Sequence, residues 1–235
     1  MGENKPIKKL ELYLIRHGQS MGNAGYNKED LTLKEQHDPL LTEKGTMQAD
    51  LAGKYLADTD FDFIYSSGLI RAISTADGII RHQKETKPLN ILPLLSEVGI
   101  SPEYDGITLE EMKEFCKTTR LADGIPEDSP RVYHSTFENE GEMFERAEKA
   151  MNYLLSRYSN GEKVAVVAHA AFLTILIFHI MGFKEAPVFD ISIQNTGITK
   201  VIFYEHGTNP YGDISFEYIN ETAHLKQENR YIAMM

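Results

Sequence analysis

The sequence contains no tryptophan, a single cysteine, Cys116, and fewer basic than acidic residues. One cysteine cannot form a disulfide within the chain, and such sparing use is typical of proteins kept in a reducing cytoplasm. With 24 Lys and Arg against 35 Asp and Glu, the formal net charge is −11. Because nucleic acids and anionic membranes bind to broad basic surfaces, we expect neither as a partner. A small anion is still permitted as a ligand, since a local pocket can be positive on an acidic protein.

Long hydrophobic runs are also missing. The longest apolar stretch, residues 170–183, includes His179 and is too short to span a bilayer. We interpret it as a buried helix. The opening segment, MGENKPIKKLE, is polar and has no apolar core of signal-peptide length. These features predict a soluble, cytoplasmic protein without a membrane partner.

Short apolar runs alternate with helical patterns along most of the 235 residues. The runs with strand character are 10–15, 61–67, 89–92, 163–169, 197–205 and 214–220. The segments with apolar residues at helical spacing are 42–57, 69–82 and 170–183. Strands that alternate with helices predict an α/β fold, with a mostly parallel central sheet flanked by helices on both faces.

Residues 101–139 interrupt this alternation. The segment is polar, carries several prolines and glycines, and has one modest helical pattern around 109–118. We interpret the chain as a single domain, residues 1–235, in which 101–139 form a small inserted cap over the end of the sheet. A second insertion, residues 24–40, separates the first strand from its helix.

Charged and polar residues stand where the predicted strands end. His17 follows the first strand directly after Arg16, and His169 ends the strand 163–169. Arg71 lies near the start of the helix that follows another strand. In an α/β sheet, ligands bind beyond the carboxyl ends of the strands, so we expect these four side chains to meet. Helix amino termini at the same edge are expected to add N–H groups for an anion.

This set of side chains suits phosphoryl transfer. The guanidinium groups of Arg16 and Arg71 match the geometry of phosphate oxygens. One imidazole, if neutral, can attack phosphorus and form a phosphohistidine, while the other stabilises the transition state. A carboxylic acid must then protonate the leaving alkoxide, and Glu97 is in place after a predicted strand. Glu103 and Asp105 lie nearby and are alternatives for this acid.

An ordered series of short motifs carries the most specific signal in the sequence. The motifs are RHGQSMGN (16–23), LLTEKGTMQA (40–49), IYSSGLIRAISTA (64–76), LSEVG (95–99), VVAHAAFL (166–173) and QNTGITKV (194–201). In this order they resemble the blocks of the histidine phosphatase superfamily, the phosphoglycerate mutase-like family. The resemblance covers almost the whole chain.

The resemblance implies a role for each matching residue. His17 would be the nucleophile, and Glu97 would be the proton donor and later the base that activates water. The residues that it implies as phosphate ligands are Arg16, Asn23, Arg71 and His169. It further implies that Gly18 and Ser66 shape the adjoining loops, and that neither a metal nor another cofactor is needed.

Two departures from the family pattern bear on the reaction. Ala168 stands before the second histidine, where a glycine is common, and the tryptophan-containing segment of the glycolytic mutases is absent. We therefore expect a metal-independent phosphomonoesterase that acts on a small phosphorylated substrate through a phosphohistidine. A phosphoglycerate mutase-type phosphotransferase and a non-catalytic module that binds phosphorylated ligands are the alternatives. The sequence does not identify the substrate, and it leaves open whether the protein forms a homodimer.

Overall fold

The computed structural model describes residues 5–27, 29, 31–134 and 138–227. Its strands are β1 (Lys8–Arg16), β2 (Phe63–Ser66), β3 (Leu89–Ile91), β4 (Thr119–Leu121), β5 (Glu162–Ala168), β6 (Ile198–Tyr204) and β7 (Ile214–Glu221). Its helices are α1 (Leu33–His37), α2 (Glu43–Tyr55), α3 (Ile70–Ile80), α4 (Leu109–Phe115), α5 (Glu140–Leu155) and α6 (Ala170–Ile180).

The strands form one sheet in the order β4-β3-β2-β5-β1-β6-β7. Strands β1 to β5 run parallel to one another, whereas β6 is antiparallel to β1 and β7 is antiparallel to β6. The predicted α/β fold with a mostly parallel central sheet is therefore confirmed. Because β5 lies between β1 and β2, the carboxyl ends of these three strands are adjacent.

Strand β1 shows how the sheet separates two apolar cores. Leu10, Leu12 and Leu14 point to one face, where they pack in a cluster with α5 and α6. Tyr13 and Ile15 point to the other face, where they join a cluster with α3. Successive side chains of a strand alternate between faces, so an apolar run such as LELYLI can serve both cores. The helices thus cover both faces of the sheet, as predicted.

Segment 101–139 differs in part from its expected form. It contributes β4, which pairs in parallel with β3 at the edge of the sheet, so the segment is not wholly outside the sheet. A three-residue edge strand leaves no periodic pattern in the sequence. The following helix, α5, has Asn139 as its N-cap, and Asn139 and Glu142 form a capping box there. Residues 135–137 lie outside the described part of the chain.

The buried helix expected in residues 170–183 is α6, which has 11 residues. Phe172, Leu176 and Ile177 of this helix are fully buried. Within the described ranges, no helix combines the length and the apolar character that crossing a membrane requires.

The loop after β1 packs closely against the first turn of α2. A Cβ added to Gly45 would overlap the carbonyl oxygen of Gln19, and one added to Gly18 would overlap the carbonyl oxygen of Gly45. Backbone therefore lies directly on backbone, and any side chain at either position must push the loop away. This contact fixes the residues that immediately follow the end of β1.

We expect Gly45→Ala to lower the free energy of unfolding by about 1–3 kcal/mol, because the added methyl group overpacks a rigid backbone contact. Urea denaturation measures the change. Gly22→Ala is the matched control, since its Cβ would meet Pro39 at an ordinary 3.4 Å. We expect that variant to stay within about 0.5 kcal/mol of the original protein. Equal stabilities of the two variants would show that the loop can move without cost.

Candidate functional site

The three adjacent strand ends bring two histidines together, as the sequence predicts. His17 directly follows β1 and His169 directly follows β5. The two imidazole rings have centroids 5.1 Å apart and are inclined by 56°. Both side chains are buried, with 3% and 0% of their surface exposed. The two imidazoles thus form a buried pair beyond the carboxyl ends of β1 and β5.

The hydrogen bond of His17 fixes its tautomer. Its Nδ1 lies 2.7 Å from the carbonyl oxygen of Gly18. A carbonyl oxygen only accepts hydrogen bonds, so Nδ1 carries the proton and donates, and Nε2 keeps its lone pair. Burial lowers the pKa of His17 well below its ordinary value, and the nearby cations Arg71 and Arg16 lower it further. His17 is therefore a neutral imidazole with a free Nε2.

His169 has one nitrogen bound and one without a partner. Its Nε2 lies 2.7 Å from the hydroxyl oxygen of Ser67, while its buried Nδ1 has no partner within the described part of the chain. An anion in the pocket only accepts hydrogen bonds. It would therefore select the tautomer in which Nδ1–H donates to it and Nε2 accepts from the Ser67 hydroxyl. Burial first, and then the charge of Arg71, lowers the pKa of His169 well below its ordinary value.

The contact from Ser67 is one that sequence reasoning missed. The resemblance points instead to Ser66, the last residue of β2, whose hydroxyl donates to the Ser67 carbonyl oxygen. Ser67 lies just beyond the end of the strand, where its side chain turns towards His169.

Two arginines, Arg16 and Arg71, lie near the same carboxyl ends of the strands. Arg71, the second residue of α3, is only 8% exposed, and burial lowers its pKa. Arg16 donates through Nη1 to the carbonyl oxygen of Ile193 at 2.7 Å, which anchors the guanidinium group. Its buried Nε has no partner among the described residues. A buried N–H without an acceptor costs free energy, which a bound anion would recover.

The buried carboxylate of Asp38 holds Arg71 in place. Asp38 is fully buried, and its Oδ1 lies 3.3 Å from Nη1 of Arg71. Both carboxylate oxygens accept from the Ile70 amide at 3.0 Å, and the Tyr104 hydroxyl donates to Oδ2 at 2.9 Å. Burial raises the pKa of Asp38, while Arg71 and these hydrogen bonds act in the opposite direction. Sequence reasoning missed this residue, which lies inside the insertion 24–40.

We expect Asp38→Ala to lower the free energy of unfolding by about 3–5 kcal/mol, because it leaves the cation of Arg71 buried without its partner. Urea denaturation is the measurement. Tyr104→Phe removes a single donor to the same carboxylate, so we expect it to cost only about 1 kcal/mol. A loss below about 1 kcal/mol for Asp38→Ala would mean that the carboxylate does not hold Arg71.

Glu97 lies against the start of the helix that follows His169. Its Oε1 accepts from the Val98 amide at 2.9 Å and from the Phe172 amide at 3.1 Å, so Oε2 is left for another partner. The carboxylate also interacts with the charges of Arg16 and Arg71. Of the alternative acids, Asp105 is 80% exposed and pairs with His134 instead.

Both helices at the site are capped by carboxylates from distant loops. The N-cap residues, Leu69 of α3 and His169 of α6, make no side-chain capping bond. Asp38 and Glu97 bind helix amides in their place. The strand and helix pattern predicts that helix amino termini offer N–H groups to an anion. One such group at each helix, the amide of Ile70 in α3 and that of Phe172 in α6, is already bound to a carboxylate.

Asn23 lies in the exposed loop beyond His17 and belongs to a polar network. Its Oδ1 accepts from the amide and the hydroxyl of Ser20, at 3.2 and 3.1 Å. It also accepts from Nδ2 of Asn195 at 3.2 Å, and the same Nδ2 donates to the His17 carbonyl oxygen at 3.0 Å. With Oδ1 occupied, the Nδ2 group of Asn23 is the part of its amide that can donate to a ligand. Asn195 is a third residue that sequence reasoning missed, after Ser67 and Asp38, although it stands in the motif QNTGITKV.

The buried histidine pair makes stability depend on pH. The folded protein keeps both rings neutral, whereas histidines in the unfolded chain titrate near pH 6.5. As the pH falls below about 6.5, His17 and His169 bind two protons in the unfolded chain that they do not bind in the folded protein. The free energy of unfolding then falls by about 1.4 kcal/mol per pH unit for each histidine. Urea denaturation between pH 7 and 5, without phosphate, measures this slope. We expect His169→Gln to reduce it, and an unchanged slope would contradict burial in the neutral form.

Metal-ligating side chains are not grouped at the site. In residues 5–27, 29, 31–134 and 138–227, no set of three or more His, Cys, Asp or Glu side chains is arranged to hold a metal ion.

Comparisons with known proteins identify one family and several similar proteins. The sequence profile of the histidine phosphatase superfamily (branch 1) matches residues 12–210. The chain is 27% identical over 218 residues to a protein named "Probable phosphoglycerate mutase GpmB" from Erwinia tasmaniensis, which covers 91% of this chain and 92% of that protein. It is 35% identical over 113 residues to "Fructose-2,6-bisphosphatase TIGAR" from Xenopus laevis, a match that spans 47% of this chain and only 39% of that relative.

A solved structure has the same fold over nearly its full length. The phosphoserine phosphatase from Entamoeba histolytica, in complex with 3-phosphoglyceric acid, superimposes with a TM-score of 0.61 at 25% sequence identity. The superposition covers 92% of this chain and 99% of that one.

Proposed function

The chain belongs to the histidine phosphatase superfamily, and on this basis we propose that it is a metal-independent phosphomonoesterase that works through a phosphohistidine on His17. One observation carries the proposal. His17 is a buried, neutral imidazole whose Nδ1 donates to the Gly18 carbonyl oxygen, so its Nε2 lone pair is free to attack. A second neutral imidazole lies beside it, and the guanidinium groups of Arg16 and Arg71 are close enough to act on its pKa, so these groups can bind the phosphoryl oxygens.

In the first step, Nε2 of His17 attacks phosphorus as the bond to the ester oxygen breaks. Arg16 and Arg71 bind the phosphoryl oxygens, and His169 donates from Nδ1 to the charge that develops on them. Asn23 is the proposed additional ligand, through its Nδ2 group. Glu97 gives its proton from Oε2 to the leaving oxygen, so the products are a free alcohol, a phosphohistidine and a Glu97 carboxylate.

In the second step, water replaces the alcohol. The Glu97 carboxylate takes a proton from this water, whose oxygen attacks phosphorus as the bond to Nε2 breaks. Orthophosphate leaves, His17 regains its neutral form, and Glu97 is protonated again. No metal is needed in this sequence of steps, because the two arginines and His169 supply the positive charge and the hydrogen bonds.

The names of relatives support a small phosphorylated substrate. One relative is named as a sugar bisphosphatase, and the similar solved structure is a phosphoserine phosphatase that holds 3-phosphoglyceric acid. A reducing cytoplasm is the compartment that we propose, from the single cysteine.

The decisive experiment measures phosphate release from p-nitrophenyl phosphate in excess EDTA, together with trapping of the phosphoenzyme by rapid acid-free quenching. We expect turnover to survive chelation and the trapped phosphate to be acid-labile and base-stable, as a phosphoramidate is. Turnover that requires an added divalent metal would contradict the metal-independent mechanism. Absence of turnover would favour the non-catalytic binding module.

A mutase-type phosphotransferase is the second candidate, and the Erwinia tasmaniensis relative favours it by name. It shares the first step, but the phosphoryl group then passes to a second hydroxyl rather than to water. Incubation with 3-phosphoglycerate separates the two reactions. A phosphatase releases orthophosphate, whereas a mutase converts the substrate to 2-phosphoglycerate with little release. We expect orthophosphate to predominate.

A further inference from the structure

An apolar groove of about 760 Å³ begins at the proposed site. Three residues at its inner end belong to, or directly adjoin, the site: Arg16 itself, Val98 next to Glu97, and Ala170 next to His169. The groove then continues between α6 and the segment 186–193. Because Val98 follows the proposed proton donor, the groove starts on the side of the phosphorus from which the leaving alcohol departs.

The outer wall of the groove is fixed in place in the free protein. The carbonyl oxygen of Ile191 accepts from the Thr174 hydroxyl of α6 at 3.1 Å, and that of Ile193 accepts from Arg16 at 2.7 Å. Phe189 packs edge-on against Phe178 of α6, with ring centroids 5.6 Å apart. A preformed apolar cleft with polar groups at one end is the usual form of a small-molecule site.

The exposure of the wall is unusual for a surface that stays in water. Phe189 is 52% exposed, and the neighbouring Val188 is fully exposed. These two adjacent side chains extend the apolar lining of the cleft to the surface of the protein.

The charges that line the groove disfavour a leaving alcohol with a second anionic group. Arg16 is the only cation among its described lining residues, and one of its N–H groups is already bound to Ile193. Asp190 adds a negative charge on the segment that forms the wall. A carboxylate or a second phosphate on the leaving alcohol would therefore meet apolar surface and an anion, without a cation of its own.

We propose that this groove binds the alcohol portion of the substrate, and that the enzyme selects phosphate monoesters of apolar alcohols over esters that carry a second anionic group. This inference rests on the proposed function, because it places the leaving group relative to His17 and Glu97.

A series of alkyl phosphates tests the inference, since ethyl, butyl and hexyl phosphate have leaving groups of nearly equal basicity. We expect kcat/KM to rise about fourfold per added methylene, which corresponds to the ~0.8 kcal/mol of a buried CH₂ group. Hydrolysis of 3-phosphoglycerate should be slower than that of hexyl phosphate. A flat series in the native protein would overturn the inference.

Substitutions in the groove test whether its lining residues cause the rise of kcat/KM with chain length. Phe189→Asp and Ile175→Asp each place a carboxylate in the groove, and we expect the rise to fall below about twofold per methylene in both. Ile214→Asp is the matched control, because Ile214 is 42% exposed on β7 and does not line the groove. The Ile214→Asp variant should keep the full rise of kcat/KM per added methylene. A rise that persists in both groove variants would overturn the inference.

The same measurements separate this inference from the proposed function. A flat alkyl series with turnover of p-nitrophenyl phosphate that depends on His17 would overturn the groove assignment alone. No turnover of any ester, and no phosphoenzyme, would overturn both.

Discussion

His17→Ala is expected to lower kcat/KM for p-nitrophenyl phosphate by roughly 10⁵- to 10⁶-fold, the scale seen when a covalent nucleophile is removed. The reason is that, among the described residues of the proposed site, no other imidazole has a free lone pair in the tautomer that attack on phosphorus requires. His169 is neutral as well, but its Nε2 is bound to Ser67, and its Nδ1 is expected to donate to the phosphoryl oxygens. The measurement is steady-state phosphate release, with the phosphoenzyme yield determined in parallel.

A control separates loss of the nucleophile from loss of the fold. His206→Ala replaces a histidine whose side chain is 96% exposed, and we expect it to keep full activity. Since His17 is buried, the His17→Ala protein must also show a cooperative urea transition. A folded His17→Ala protein that keeps more than a tenth of the activity would rule out His17 as the nucleophile.

Glu97→Gln is expected to reduce kcat by about 10²- to 10⁴-fold for ethyl phosphate, the usual contribution of a general acid. The loss should be smaller for p-nitrophenyl phosphate, because p-nitrophenolate leaves without a proton. The substitution suits this test, since the glutamine carbonyl oxygen can still accept from the amides of Val98 and Phe172. The helix cap is kept while the transferable proton is removed.

The losses of kcat for the two esters show whether Glu97 donates a proton or only caps α6. Equal losses on the two esters would mean that Glu97 only holds the loop against α6. Glu103→Gln and Asp105→Asn are the matched controls, because they remove the two other carboxyl groups that the sequence offers as the acid. Each should change kcat less than about twofold, and a larger effect of Asp105→Asn would transfer the role to that residue.

The core of the site could be predicted from sequence because it depends on local order. His17 and His169 each follow an apolar strand directly, and Arg71 comes at the start of a helix after a third strand. Parallel strands align their carboxyl ends, so residues that directly follow such strands are expected at one edge of the sheet. The mostly parallel sheet was predictable for a related reason, because strands and helices alternate along the chain.

The residues that support the site could not be predicted in this way. Asp38 contacts Arg71 although it lies 33 positions earlier in the sequence, in a loop without a periodic pattern of apolar residues. Ser67 differs from Ser66 only by standing one residue beyond the strand, a boundary that sequence patterns do not resolve. Arg146 of α5 is 1% exposed and donates to the carbonyl oxygen of Ser96, next to Glu97, at 2.7 Å, yet in sequence it looks like an ordinary helix surface residue. Each of these contacts is decided by tertiary packing.

The place of β1 in the sheet has a consequence for how the protein is made. Its two neighbours, β5 and β6, lie about 150 and 180 residues later in the chain. At a synthesis rate of roughly 5–20 residues per second, β6 is translated roughly 10–40 s after β1. During that time the run LELYLI has neither of its native partners, so the nascent chain carries an unpaired apolar strand that is open to non-native pairing. His17, the proposed nucleophile, is therefore translated well before the two strands that pair with β1.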